Sequence, residues 1–556
     1  MTRTALLFAA LVAVAGTGLL MGAFEEPTRP ALDPPTARAE ALELVVWDGG
    51  KLARWELRVE VDGQSAPDCW DAAFGHLFAF ADGDGSGALD RKEAARLPSA
   101  FGLRQVLWGG FVTGPGAGPV WDDLDRNGDG TVSRAELIDY YRRSGLGNVL
   151  VGAGKPPATA ALTDALLKQL DADGDGTVDE KEWLGAADRL AKLDLNDDEL
   201  VTPGELVPRA TYPGATGAHL LTAPAEQVKP SAVADSLPLL VLPLSTVDPL
   251  WAAALVHKLD ANTNGFLDAN EAGLPPAVLA RLDTNKDGQL SADELIRWRR
   301  LPADVRWVVR LGQRPAARAE IESRSAEGQK AGERLDASFG SLRFALRADA
   351  GQLPGKWDEG RKRLTAQFAE ADPGRKGAVA LADANKLNLA ELRAAISSGD
   401  RNGDDKLDEK ELESWLRVRD RIVKSHVLLT VLDHGAGLFE SLDANHDGAL
   451  SVRELRGAWT RLRDAGCVRD GRFDRARVPR QFGLTVSAGL PASPLGRPKA
   501  VGPAWFRAMD RNGDSDVSRK EFTGRPEVFD KLDSDKDGLI SAEEAEKAAA
   551  IGAPKK

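Results

Sequence analysis

One twelve-residue pattern recurs ten times along this chain of 556 residues and dictates the local backbone wherever it occurs. Its first position is aspartate: Asp82, Asp125, Asp171, Asp194, Asp260, Asp283, Asp400, Asp443, Asp510 and Asp533. The third is Asp or Asn: Asp84, Asn127, Asp173, Asn196, Asn262, Asn285, Asn402, Asn445, Asn512 and Asp535. The fifth again offers a side-chain oxygen: Ser86, Asp129, Asp175, Asp198, Asn264, Asp287, Asp404, Asp447, Asp514 and Asp537. The twelfth is always glutamate: Glu93, Glu136, Glu182, Glu205, Glu271, Glu294, Glu411, Glu454, Glu521 and Glu544. Oxygens on alternate residues, a backbone carbonyl at position 7 and a bidentate carboxylate at 12 wrap a loop around one hard cation. The position-7 carbonyls belong to Ala88, Thr131, Thr177, Leu200, Phe266, Gln289, Lys406, Ala449, Asp516 and Leu539. A cage of this kind suits calcium; magnesium demands a smaller octahedron.

Position 8 is aliphatic in all ten loops: Leu89, Val132, Val178, Val201, Leu267, Leu290, Leu407, Leu450, Val517 and Ile540. Ligation does not require this, but a β-bridge between two paired loops does. The residue before position 1 is apolar except at Gly399, as the buried end of an entering helix should be. On these residues the chain resembles the EF-hand family, and its repeats are most similar to the multi-hand calcium-binding proteins that planctomycete-type bacteria export. The resemblance implies helix–loop–helix hands holding about ten Ca²⁺.

Three tandem loops start 23 residues apart: Asp171/Asp194, Asp260/Asp283 and Asp510/Asp533. A continuous helix between such loops would hold them roughly 20 Å apart, too far to bridge. Gly273 before Pro275-Pro276, Gly524 before Pro526, and Gly185 in the equivalent place predict a broken connector and pairing within each tandem. The same rule marks two decayed partners. Residues 372–383 keep Asp372, Gly377 and Val379 but carry Gly374 and Lys376 at positions 3 and 5, and are expected to pair emptily with the Asp400 loop. Residues 466–477, starting at Gly466 with Gly457 in the connector, are expected to pair emptily with the Asp443 loop. Position 6 needs positive φ, and Glu199, Asp405 and Ser515 stand there without glycine's freedom, so those three sites are expected to be the weaker ones.

The expected fold is mainly α, an array of paired EF-hands with minor β-hairpin and strand inserts. Residues 1–24 contain an apolar run, Ala5 to Phe24, readable as a cleaved secretory signal or a retained membrane anchor. A Pro-rich segment and β-hairpin follow at 25–66, then hand pairs over 67–206, a linker at 207–248 and a hand pair at 249–300. A β-containing insert at 301–356, hand pairs over 357–480, a linker at 481–503 and a last hand pair at 504–550 complete the chain. Strand alternation is read at Trp55, Leu57, Val59 and Val61, at Val305, Trp307, Val309 and Leu311, and at Leu342, Phe344 and Leu346.

Charge follows the loops, which hold 43 of the 85 acids and only 14 of the 72 Lys/Arg. The remaining residues are net basic, yet no basic run interleaves with aromatics, so nucleic acid is not an expected partner. Two cysteines, Cys69 and Cys467, exclude a disulfide framework and a Cys-based zinc site; they either pair or stand idle. The expected role is calcium-stabilised structure or interaction in an exported or anchored protein, with an unidentified protein or cell-envelope partner. The alternative is a calcium-responsive sensor. Against the sensor, the chain has three methionines, Met1, Met21 and Met509, too few for a Met-rich groove. An enzyme is not expected: none of the six histidines stands in a metal-protease motif, and neither a nucleophile elbow nor a phosphate loop occurs. His446, at the non-ligating position 4, is expected in solvent, and Trp298, Trp415, Trp459 and Tyr140 in the core.

Overall fold

The computed structural model describes residues 41–107, 118–147, 149–154, 157–212, 221–224, 237–242, 250–312, 319–325, 328–491 and 501–552. The expected leader at 1–24 lies outside them, as do parts of both expected linkers. Among the described residues no helix is long and apolar enough to cross a membrane.

The expectation of a mainly α array is overturned. The described residues are 44% helix and 22% strand, and most of the strands assemble into two large mixed sheets. The first runs in the order Leu239–Leu242, Ala41–Asp48, Lys51–Val61, Val305–Leu311, Ala319–Ser325 and Gly328–Gly332, with Gln64–Ser65 also on Lys51–Val61. Asp48-Gly49-Gly50-Lys51 closes its hairpin, with φ of 53° and 76° at the two glycines, the left-handed pair a two-residue turn requires. Trp55, Leu57 and Val59 are buried on one face, and Trp55 meets Trp307 and Phe344 edge-on at 5.0 and 4.8 Å. The next strand, Val305–Leu311, is parallel to Lys51–Val61 and some 250 residues away, with Trp55 opposite Val305.

The second sheet runs Arg334–Phe339, Leu342–Asp349, Arg480–Ala488, Val427–Gly435, Val149–Ala153 and Leu221–Pro224. Four of these strands fall in segments read as hands or linker. Val427–Gly435 pairs in parallel with Val149–Ala153 and is buried along its whole length. A strand covered on both faces is a continuous apolar run without alternation, so period alone does not distinguish it from a helix.

The chain divides into two compact units that do not follow the linear modules. One lies within Met1–Ala153, Leu221–Val431 and Gly483–Ala492; the other within Gly154–Leu220, Leu432–Phe482 and Ser493–Lys556. In the first unit the Asp82 and Asp125 loops bridge at Leu89/Val132, the Asp260 and Asp283 loops at Leu267/Leu290, and the 372–383 and Asp400 loops at Val379/Leu407. The first and last of these pairs share one core, in which Trp70, Phe74 and Leu137 join Leu364, Ile396 and Trp415. In the second unit the Asp510 and Asp533 loops bridge at Val517/Ile540 over Phe506 and Phe529.

The remaining four loops exchange partners. The Asp194 loop bridges the Asp443 loop at Val201/Leu450, and the Asp171 loop bridges the 466–477 segment, Phe473 N donating to the Val178 carbonyl at 2.9 Å. Pairing of Asp171 with Asp194, and of Asp443 with 466–477, is therefore corrected. Gly185 does not break the connector: at φ −96° and ψ 8° it carries Glu180–Leu184 into Ala186–Leu190 and the 3-10 turn Ala191–Leu193. Helix Val452–Asp464 passes through Gly457 likewise. Each connector is both exit helix of one hand and entering helix of the next, so its two loops stay roughly 20 Å apart. The two shared helices lie antiparallel, Trp183 against Trp459 at 5.9 Å, with Trp183 Nε1 donating to the Leu455 carbonyl at 3.0 Å.

What the two glycines supply is room. A Cβ at Gly185 or Gly457 would stand 2.7 Å from the guanidinium of Arg189 or Arg461. Arg461 Nη2 donates to the carbonyls of Leu442 and Glu454 at 3.0 and 2.8 Å, and Arg189 Nη2 donates to those of Leu170 and Glu182. Each arginine thus ties an entering helix to its exit helix behind the loop.

Candidate metal centres

The Asp171 loop illustrates the construction. Its entering helix, Thr159–Leu170, ends as Asp171 N donates to the Leu167 carbonyl at 2.8 Å. The chain then coils around Asp171, whose Oδ1 accepts from Gly174 N at 2.7 Å and whose Oδ2 accepts from Gly176 N at 2.9 Å. Asp173 Oδ1 accepts from Asp175 N at 3.1 Å, and Asp175 Oδ1 from Thr177 N at 2.9 Å. Glu182 spans the loop, Oε1 accepting from Ala172 N at 2.7 Å and Oε2 from Asp179 N at 2.9 Å. The Asp179 side chain returns a bond from Glu182 N, so closing glutamate and position 9 form a capping box that starts the exit helix.

All ten loops follow this scheme. Every position-1 aspartate accepts through Oδ2 from the position-6 N–H at 2.7–3.2 Å. Every closing glutamate accepts from the position-9 N–H at 2.8–3.1 Å. All ten position-8 side chains are buried. The oxygen-bearing side chains at 1, 3, 5 and 12 are thus drawn into the wrap of each loop, while the N–H of position 7 turns back to position 5. In the three loops with aspartate at position 3, three carboxylates gather closely. Asp82, Asp84 and Glu93, then Asp171, Asp173 and Glu182, then Asp533, Asp535 and Asp537, each bring one oxygen within 4.8 Å of the others. Three carboxylates so close repel strongly unless a cation sits between them, and an all-oxygen set fits Ca²⁺.

Backbone demand at position 6 takes the predicted form, with Glu199, Asp405 and Ser515 held at φ 64°, 58° and 71°. Position 4 makes the same demand, which the template did not reveal: Asp197, Thr263, Lys286, His446 and Lys536 all have φ near 60°. Only the Asp194 loop carries side chains at both positions.

Of the two decayed loops, 372–383 keeps the wrap, Gly377 N donating to Asp372 Oδ2 at 2.7 Å, but offers no side-chain oxygen at positions 3 and 5. Segment 466–477 has become a hairpin, Val468–Arg469 with Arg472–Phe473, turned by Asp470 and Gly471 at φ 51° and 76°. From it Arg472 reaches Asp175 Oδ2 in the paired loop at 3.1 Å.

The loops differ in burial. Around Asp260 they stand in solvent, whereas Asp443 is fully buried and its Oδ2 also accepts from the hydroxyl of Tyr212 at 2.9 Å. His446 is not in solvent, as expected from position 4, but buried and stacked on His434 at 4.9 Å. Burial, with Glu454 and Asp447 alongside, pushes the Asp443 carboxyl well above the usual carboxylate range. Burial likewise lifts Asp514 to about 7, helped by Asp516, Glu521 and Asp510. Burial also works to raise Glu294, but backbone bonds from Ser291 and Thr284 hold it down at about 2. A divalent cation would relieve the first two sites most. Trp298, Trp415, Trp459 and Tyr140 are buried in the core, and no disulfide joins Cys69 to Cys467. Tyr212, Arg189 and Arg461 were not singled out from the sequence; the two arginines share the place seven residues after a closing glutamate.

Five segments of the chain match the family model for the EF hand: 122–139, 163–184, 277–297, 436–457 and 527–544. They contain the Asp125, Asp171, Asp283, Asp443 and Asp533 loops, and they support calcium binding by this chain. No solved structure matches it.

Proposed function

We propose that the chain binds about ten calcium ions through the ten complete loops, and that the bound metal stabilises an exported or membrane-anchored structural or interaction protein. The observation that carries this reading is the shared wrap, from the position-1 aspartate to the closing glutamate, in loops inside and outside the five family matches. Each site held at a hundred times its dissociation constant favours the folded state by roughly 2.7 kcal/mol. A structural role is preferred to a sensor's because hand-pair apolar faces are already covered. Trp415 lies in a core with two helices of another pair, and Trp251, Trp298 and Leu295 pack against Val45, Trp47 and Leu240 of the first sheet. The apolar run before Phe24 supports export, and a partner would be a protein or cell-envelope component.

Calcium titration of the chain, followed by circular dichroism and tryptophan fluorescence, tests the reading. Stabilised helix without exposure of a dye-binding apolar surface is the expected outcome. A calcium-induced apolar surface would favour the sensor instead, and no response at millimolar calcium would refute both.

A further inference from the structure

The Asp194 loop departs furthest from the left-handed glycine pattern, with Asp197 at φ 60° and Glu199 at φ 64°. In the same compact unit both side chains are held by the Asp510 loop. Lys520 Nζ donates to Asp197 Oδ1 at 2.7 Å, and Ser518 Oγ donates to Glu199 Oε2. Asn512, the position-3 ligand of the Asp510 loop, donates its Nδ2 to the Asp198 carbonyl at 3.0 Å. The Oδ1 of the same amide accepts from Asp514 N at 3.1 Å and so belongs to its own loop. One planar group therefore spans two cages, because Asp198 supplies the position-5 ligand of the other. The second half of each pair is joined as well: Arg453, next to the closing Glu454, reaches Asp516 Oδ2 at 2.7 Å and Asp537 Oδ2 at 3.4 Å.

We infer that the Asp194/Asp443 and Asp510/Asp533 pairs form one four-site calcium unit in which occupancy of the Asp510 loop assembles the Asp194 loop. The inference rests on the calcium reading above and adds an order of events to it. Each left-handed side chain carries a backbone strain that glycine avoids, so the Asp194 loop alone is poorly preorganised. Calcium drawn to Asn512 Oδ1 fixes the amide plane, and with it the direction of the N–H that holds Asp198. Lys520 and Ser518, on the same loop, then hold the two strained residues. Such coupling is a free energy shared between sites and acts in both directions.

The test uses the full chain carrying Leu200→Trp, which places an indole at position 7 of the Asp194 loop. Terbium, an oxygen-seeking stand-in for calcium, is excited by energy transfer from it, and the gain over the parent chain, with its 13 tryptophans, isolates that loop. Adding Glu521→Gln, which removes the closing carboxylate of the Asp510 loop, is expected to raise the terbium concentration for half-saturation at least about fivefold. Asn512→Asp keeps a ligand of the kind Asp84 and Asp535 provide but loses the bridging N–H, and is expected to give a similar rise. Unchanged half-saturation in both variants overturns the proposal; if Glu521→Gln does not fold, Asn512→Asp decides. Absence of any terbium signal from Leu200→Trp overturns the calcium reading of this loop and the coupling with it, an outcome distinct from a signal that is present and uncoupled.

Discussion

The Asp260/Asp283 and Asp171/Asp194 tandems have the same 23-residue spacing and bind their neighbours differently. In the first, Gly273 turns left-handed at φ 53°, Pro276 restarts a helix, and the two loops fold back onto one another. In the second, Gly185 stays near helical geometry, and each loop finds its partner in a segment more than 200 residues away. Spacing sets how much chain is present; the connector's chemistry decides whether that chain is a turn or a strut. A strut costs local pairing but yields a helix shared by two hands, and two such helices packed antiparallel tie distant segments together.

Four substitutions probe this contrast. Trp183→Ala removes the packing between the two struts and is expected to destabilise the second unit by about 3–5 kcal/mol, read from the denaturant midpoint. A loss below about 1 kcal/mol would mean that the struts do not support each other. Gly273→Ala forces a side chain into a left-handed turn and places its Cβ 1.6 Å from the Gly50 carbonyl oxygen; a cost of about 2–4 kcal/mol in the first unit is expected. Arg461→Met loses two carbonyl bonds behind the Asp443 loop, for about 1–2 kcal/mol in the same measurement. Gly185→Ala should cost least, within about 1 kcal/mol, because gained helix propensity offsets displacement of Arg189. Equal costs at Gly185 and Gly273 would remove the distinction between strut and turn.

The loop wraps were legible because each is written in twelve consecutive residues, from Asp171 to Glu182 for example. Pairing was legible where proline marked a turn, at Pro276 and Pro526. It was not legible at Gly185 and Gly457, where glycine makes space for arginine; Arg189 and Arg461, seven residues past their glutamates, were the available signal. The sheets were hidden for a different reason. Trp55 and Val305 sit on parallel neighbours that no local pattern links, and Val427–Gly435 lacks alternation because both its faces are covered. His446 was misread because position 4 is normally outermost, and only the fold brings His434 and Tyr212 over that loop.

Equilibrium dialysis of the full chain against calcium tests the central claim most directly. About ten ions bound per chain at saturation is the expected result, the two decayed loops remaining empty. Failure to bind calcium at millimolar concentration would contradict it.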